Sequence, residues 1–285
     1  MRIEVNGARL FVDIEGPKLV PDGPFMRERH TVLALHGGPG ADHSILRPLM
    51  HRISDLAQVI YVDHRGNGRS DDGDPGDWTL AQWADDVRTL CDILGVDKPI
   101  VYGASFGGVV AQAYATRHPD HPGALILACT AARTDFEVIY AAFERIGGTV
   151  AGRVARDYWS NPTPEGRQNY FDVCLPLYAR TVPDPHMMQR MIVKNPVAMH
   201  YNGPQNEQGR FDFHDALTQV HCPAMVLAGD TDPIMPAVFG ERIAAALPNA
   251  EYHLIEGAAH LLETDKPATV VHLIREFIKE TPYAT

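Results

Sequence analysis

Ser105 stands in Gly103-Ala-Ser-Phe-Gly107, between a strand-forming run that ends at Ala104 and a run from Phe106 that reads as helix. Gly-x-Ser-x-Gly at a strand-to-helix junction is the nucleophile elbow, a sharp turn that lifts the serine Oγ above the carboxyl end of a sheet. The same junction aims the free N–H groups of a helix start at that point. Only Ser44, Ser54, Ser70, Ser105 and Ser160 occur in the chain, and none of the other four has a comparable setting. A serine hydroxyl is a weak nucleophile at neutral pH, so it needs a general base, and the base needs an orienting acid.

Two later stretches hold candidates for both. In "VLAGDTDPIMP" Asp232 lies on a loop just past a strand, with Asp230 as the competitor; one of the two is free to cap the helix that follows. In "LIEGAAHLLE" His260 follows the last strand across a Gly/Ala loop, whereas His253 lies within that strand and His272 within the final helix, where both read as structural. The order Ser105, Asp232, His260 is one of the known triad orders, distinct from those of chymotrypsin and subtilisin. Acyl transfer also needs donors for the developing oxyanion. The backbone N–H of Phe106 is one, and "LHGGPG" offers the other. Pro39 has no N–H, so Gly38 is the choice, with Gly37 as the alternative. His36 reads as a structural residue holding that loop.

These residues need a scaffold, and its pattern is legible. "RIEVNGARLFVDI" is a hairpin around Asn6-Gly7. A loop rich in proline and charge follows, to about residue 30. "TVLALH", "AQVIYVD", "PIVYGA", "GALILAC", "PAMVLAG" and "AEYHLIE" are strands, most of them apolar without alternation, as for strands buried on both faces. Between them, Leu80, Trp83, Val87, Leu90 and Leu94 recur at helical spacing, with Thr79 and Gln82 as a capping box and Gly95 as the stop. Further helices are expected over 106–117, near 237–247 and over 268–279. Strand–helix alternation of this kind implies an α/β fold: a mostly parallel central sheet flanked by helices. From about 130 to 216 the alternation breaks into proline-punctuated, helical-looking sequence. A structureless loop of that length is improbable, so a helical cap inserted after the sixth strand is expected. The core would comprise 1–129 and 217–285, the cap 130–216.

Composition narrows the class. The net charge of −11 and the lack of a Lys/Arg cluster argue against nucleic acid as a partner. No apolar run approaches a membrane span, and "MRIEVNGARL" has no apolar leader core. Cys91, Cys129, Cys174 and Cys222 are scattered, as for reduced thiols in the cytoplasm. No HExxH, CxxC, GxGxxG or Walker pattern is present, so neither a metal nor a cofactor is expected. Nothing in the sequence indicates an oligomeric state.

Three motifs, "HGGPG" at 36–40, "DHRGNGRS" at 63–70 and "GASFGG" at 103–108, resemble the proline iminopeptidase-like branch of the α/β-hydrolase superfamily. The resemblance covers nearly all of the chain. It implies Ser105 as nucleophile, Asp232 as acid, His260 as base, oxyanion donors at Gly38 and Phe106, and a structural role for the Asp63–Ser70 turn. It also implies cleavage of a small-molecule ester, amide or lactone through an acyl-enzyme. Proline iminopeptidases usually carry tryptophan after the nucleophile, where this chain has Phe106, and hold the substrate amine with cap carboxylates. Cap acids here include Glu137, Glu144, Asp157, Glu165, Asp172, Asp184, Glu207 and Asp212, each expected to be a solvated surface charge. A carboxylesterase or lactonase without peptidase activity is the near alternative, and a carbon–carbon bond hydrolase the next. A non-catalytic receptor for a small ligand on the same fold is the alternative from another class.

Overall fold

A computed structural model describes residues 1–282. The chain starts with β1 (Arg2–Val5) and β2 (Ala8–Glu15), an antiparallel hairpin whose turn residues Asn6 and Gly7 have φ of 47° and 79°, the two positive values a type I′ turn requires. The next stretch departs from the expected loop. β3 (Leu19–Asp22) and β4 (Phe25–Glu28) form a second, separate hairpin. Its two-residue turn is Gly23-Pro24, with Gly23 at φ 58° in the first central position, where a type II′ turn calls for glycine. Nearly all its residues are exposed. With no buried face there is no apolar alternation for a sequence reading to detect.

Then come β5 (Thr31–Leu35), β6 (Gln58–Val62), α1 (Leu80–Leu94), β7 (Ile100–Ala104), α2 (Phe106–Arg117) and β8 (Ala124–Ala128). The stretch between β8 and β9 (Ala224–Gly229) is helical: α3 (Phe136–Ser160), α4 (Pro164–Val173), α5 (Asn195–Tyr201) and several single turns. α6 (Ala237–Ala246), β10 (Ala250–Ile255) and α7 (Pro267–Glu280) complete the chain. The eight-stranded sheet runs β1-β2-β6-β5-β7-β8-β9-β10, parallel from β6 onward and antiparallel where β2 joins β1 and β6. Counted along the chain, β8 is the sixth strand of this sheet, so the helical insertion interrupts it where expected.

Both sheet faces are covered. Val32 and Ala34 of β5 join one apolar cluster, while Leu33 and Leu35 join the other, with α1 and α2. Thr79 caps α1 by accepting the Gln82 N–H at 3.1 Å, and Gly95 ends it at φ 62°. The reciprocal half of the capping box does not form, because the Gln82 side chain donates instead to Asp86 at 2.9 Å.

That aspartate is an anchor. Asp86 accepts from Arg65 Nε and Nη2, both at 2.8 Å, and from Asn6 at 3.0 Å. Arg65 and Asp86 are almost wholly buried. Removing one partner leaves an uncompensated charge in the interior. Asp86→Ala is therefore expected to lower the unfolding free energy by about 3–5 kcal/mol, measured by urea denaturation. A loss under about 1 kcal/mol, the level of an exposed ion pair, would refute that role.

Candidate active site

Ser105 lies between β7 and α2 at φ 53° and ψ −118°, outside the regions that residues with a Cβ normally occupy. Neighbouring backbone holds it there. Its N–H donates to Ala128 O at 2.9 Å, and its carbonyl accepts from Gly108 N and from Thr130 Oγ1. The glycines on either side are demanded by packing. A Cβ on Gly103 would come within 2.5 Å of Gly107 O, and one on Gly107 within 2.1 Å of Leu35 O.

The acid and base loops meet beyond the ends of β9 and β10. Asp232 is buried; its Oδ1 accepts from Ile234 N and Met235 N, each at 2.9 Å, and its Oδ2 lies 2.7 Å from His260 Nδ1. One carboxylate thus both caps the following turn and orients the imidazole. A carboxylate only accepts, so Nδ1 carries the hydrogen and Nε2 is left as the ring's basic nitrogen. Asp230, the competitor, holds the His260 loop instead: it accepts from Gly257 N and Ala258 N at 3.0 and 3.2 Å. Asp265 clamps the same loop from the other side through Ala259 N at 2.8 Å. It also accepts from Arg180 N and Thr181 N of the inserted segment. No spacing signal in the sequence pointed to Asp265, because its partners are backbone amides brought in by folding.

Ser105, Gly38, Phe106 and His260 border one cavity of about 200 Å³, with Asp232 behind the histidine. Phe106 opens α2, where the first N–H groups have no intrahelical acceptor. Its ring points into the core, edge-on to Trp83 and Tyr201 with centroids 5.0 and 4.8 Å away. The difference from tryptophan at this position therefore falls on packing. Gly37 and Gly38 both border the cavity, and Gly38 has φ 68°.

The Asp63–Ser70 turn secures this loop. Asn67 Oδ1 accepts from Gly40 N, and Asp63 accepts from the backbone N–H groups of His43 and Arg69. His36 lies 3.0 Å through Nδ1 from Gly37 O and packs against His64. Burial pushes both imidazoles below their ordinary pKa, as befits neutral structural residues.

Cys129, Asp232 and His260 bring ligand atoms within 4.8 Å of one another, the one such grouping among the described residues. Asp232 and His260 are engaged with each other. Burial pushes the Cys129 thiol well up, disfavouring the thiolate a metal would need.

The inserted segment supplies an aromatic wall that includes Tyr158, Trp159, Tyr170 and Tyr178, the last edge-on to the His260 ring at 5.1 Å. None of the expected cap acids borders the cavity; among the described residues Glu263, on the core side, is the one carboxyl that does. Burial pushes its pKa up. Seven of those cap acids are exposed as expected, Glu137 pairing with Arg156 and Asp184 with Arg190; Glu207 departs from that expectation, being half-buried and accepting from Leu80 N at the start of α1.

The family model described as the alpha/beta hydrolase fold matches residues 30–267. The chain belongs to the α/β-hydrolase family. A proline iminopeptidase, PfmaB, of Pestalotiopsis fici is 28% identical over 98% of this chain and 99% of its own length. Among solved structures, a thermophilic esterase from Thermogutta terrifontis, with malate bound, is 27% identical and covers 99% of both chains with a TM-score of 0.75. A proline iminopeptidase of Mycobacterium smegmatis shares the fold at a TM-score of 0.78, with 19% identity over 99% of this chain and 98% of its own. These relatives agree with the proline iminopeptidase-like branch of this α/β-hydrolase family. No helix among the described residues is long and apolar enough to cross a membrane.

Proposed function

We propose that the protein is a cofactor-free serine hydrolase that cleaves small carboxylic esters or lactones through an acyl-enzyme. The observation that carries this reading is the convergence of Ser105 and His260 on one cavity, with Asp232 2.7 Å behind the imidazole. His260 Nε2 takes the Ser105 proton as Oγ attacks the scissile carbonyl carbon. The N–H groups of Phe106 and Gly38 receive the oxyanion. The carbon–oxygen bond to the leaving group then breaks, and the leaving oxygen departs with the proton from His260. Water attacks the acyl-enzyme, gives its proton to His260, and Ser105 recovers it as the acid leaves.

An ester or lactone is favoured over a peptide because no carboxylate of residues 130–216 borders the cavity to receive a free amine, and burial disfavours the charged form of Glu263, the core-side carboxyl that does border it. An unpaired ammonium in an apolar pocket is strongly disfavoured. Residues 130–216 act as the cap over the core of 1–129 and 217–285, and their aromatic wall restricts access to small substrates. The four cysteines are free thiols, three of them buried, which supports a cytoplasmic setting.

The test combines a fluorophosphonate probe with a substrate panel. Label is expected on Ser105. Short p-nitrophenyl esters and δ-valerolactone are expected to exceed proline p-nitroanilide in kcat/KM by roughly 100-fold or more. Absence of label with no turnover would leave a receptor on the hydrolase fold. Faster cleavage of the prolyl amide would restore the peptidase reading.

A further inference from the structure

Arg167 lies on α4, within the wall of the same cavity, and is only 9% exposed. A guanidinium so deeply placed ordinarily faces a carboxylate. This one does not. Its Nη1 donates to the neutral amide oxygen of Asn195, and its plane lies over the Phe171 ring at 4.6 Å. The charged or titratable neighbours that act on it are the phenols Tyr158 and Tyr178. Contrast Arg65, also buried, which is matched by Asp86 through two hydrogen bonds.

We propose that Arg167 is the receptor for a substrate carboxylate, so that the compound consumed is a small anionic ester or lactone such as the half-ester of a dicarboxylic acid. The inference rests on the hydrolase reading for the ester part alone; the anion site stands on the arginine. A guanidinium presents a planar fork of donors that matches a carboxylate. The rest of the cavity suits such a ligand. Aromatic and methionine side chains would cover its chain, and Ser105 and His260 border the same space for its ester end. Glu263 is the one group there that would oppose an anion. Burial disfavours its charged form, which lessens that opposition. An apolar neutral ester would leave the guanidinium desolvated and unmatched.

Binding to the Ser105→Ala protein separates this site from catalysis. Methyl hydrogen glutarate and dimethyl glutarate differ by one charge at one end, and isothermal titration calorimetry at constant ionic strength compares them. The half-ester is expected to bind roughly 10- to 100-fold more tightly, the range of a charge-assisted hydrogen-bonded pair. Arg167→Met is expected to collapse that ratio to near unity. Arg167→Lys, which keeps the charge and loses the fork, is expected to retain part of it. Equal binding of the two esters, no binding of the half-ester, or a preference that survives Arg167→Met each overturns the proposal. The first two outcomes need no variant and hold even if Arg167→Met fails to fold. Arg167-dependent binding without ester turnover by the unsubstituted protein would keep the anion site and refute the hydrolase. Turnover without an anion preference would do the reverse.

Discussion

Ser105→Ala is expected to lower kcat on the best ester substrate by roughly 10⁵- to 10⁶-fold, the scale seen when the nucleophile of a serine triad is removed. The residual rate would come from the oxyanion donors and from substrate positioning, neither of which the substitution touches. Labelling by the fluorophosphonate should vanish with it. The variant should fold, because the Ser105 backbone is held by Ala128 O, Gly108 N and Thr130 Oγ1 rather than by its own hydroxyl. The strain at φ 53° remains in the alanine variant, since alanine has a Cβ too. Ser105→Gly should therefore be inactive yet more stable than Ser105→Ala by about 1 kcal/mol, read by urea denaturation. An alanine variant retaining more than about one hundredth of the rate would remove the hydroxyl from the chemistry.

The second large effect is expected at Asp232. Asp232→Asn should lower kcat by about 10⁴-fold, because an amide can donate to His260 Nδ1 and stabilise the wrong tautomer. The acceptor at 2.7 Å from Nδ1 fixes which nitrogen carries hydrogen. Asp230→Asn should change kcat only a few-fold, since that carboxylate touches the loop amides of Gly257 and Ala258 and not the imidazole. Steady-state kinetics on both variants decides the pair: a larger loss at Asp230 would reverse the assignment.

The elements that position this site were legible wherever burial left a periodic mark. The apolar strands β5 to β9, the helical spacing in α1, the Thr79 and Gly95 signals and the Asn6-Gly7 turn all express local rules, so a single chain displays them. The elbow was legible in part for the same reason: Gly103 answers contacts with Gly107 and Gly108 inside the turn, whereas Gly107 answers the approach of Leu35 and His36 at the end of β5. The β3–β4 hairpin left no mark, since an exposed ladder imposes no apolar alternation. Gln82 leaves its half of the capping box unmade because its side chain donates to Asp86, which also accepts from Arg65 and Asn6 in distant parts of the chain.

Residue types and spacing alone determined the α/β architecture, the elbow serine, and the short list from which an acid and a base had to come. Only the tertiary structure put Asp232, the acid already preferred, against the His260 imidazole and Asp230 on the loop amides, brought Asp265 onto the histidine loop, and placed Arg167 in the pocket wall with no acidic partner among the described residues. The physical reason is range. Strand, helix and turn preferences act over a few residues, whereas hydrogen bonds such as that of Asp232 to His260 span 28 positions, and a guanidinium's missing partner is defined only by everything folded around it.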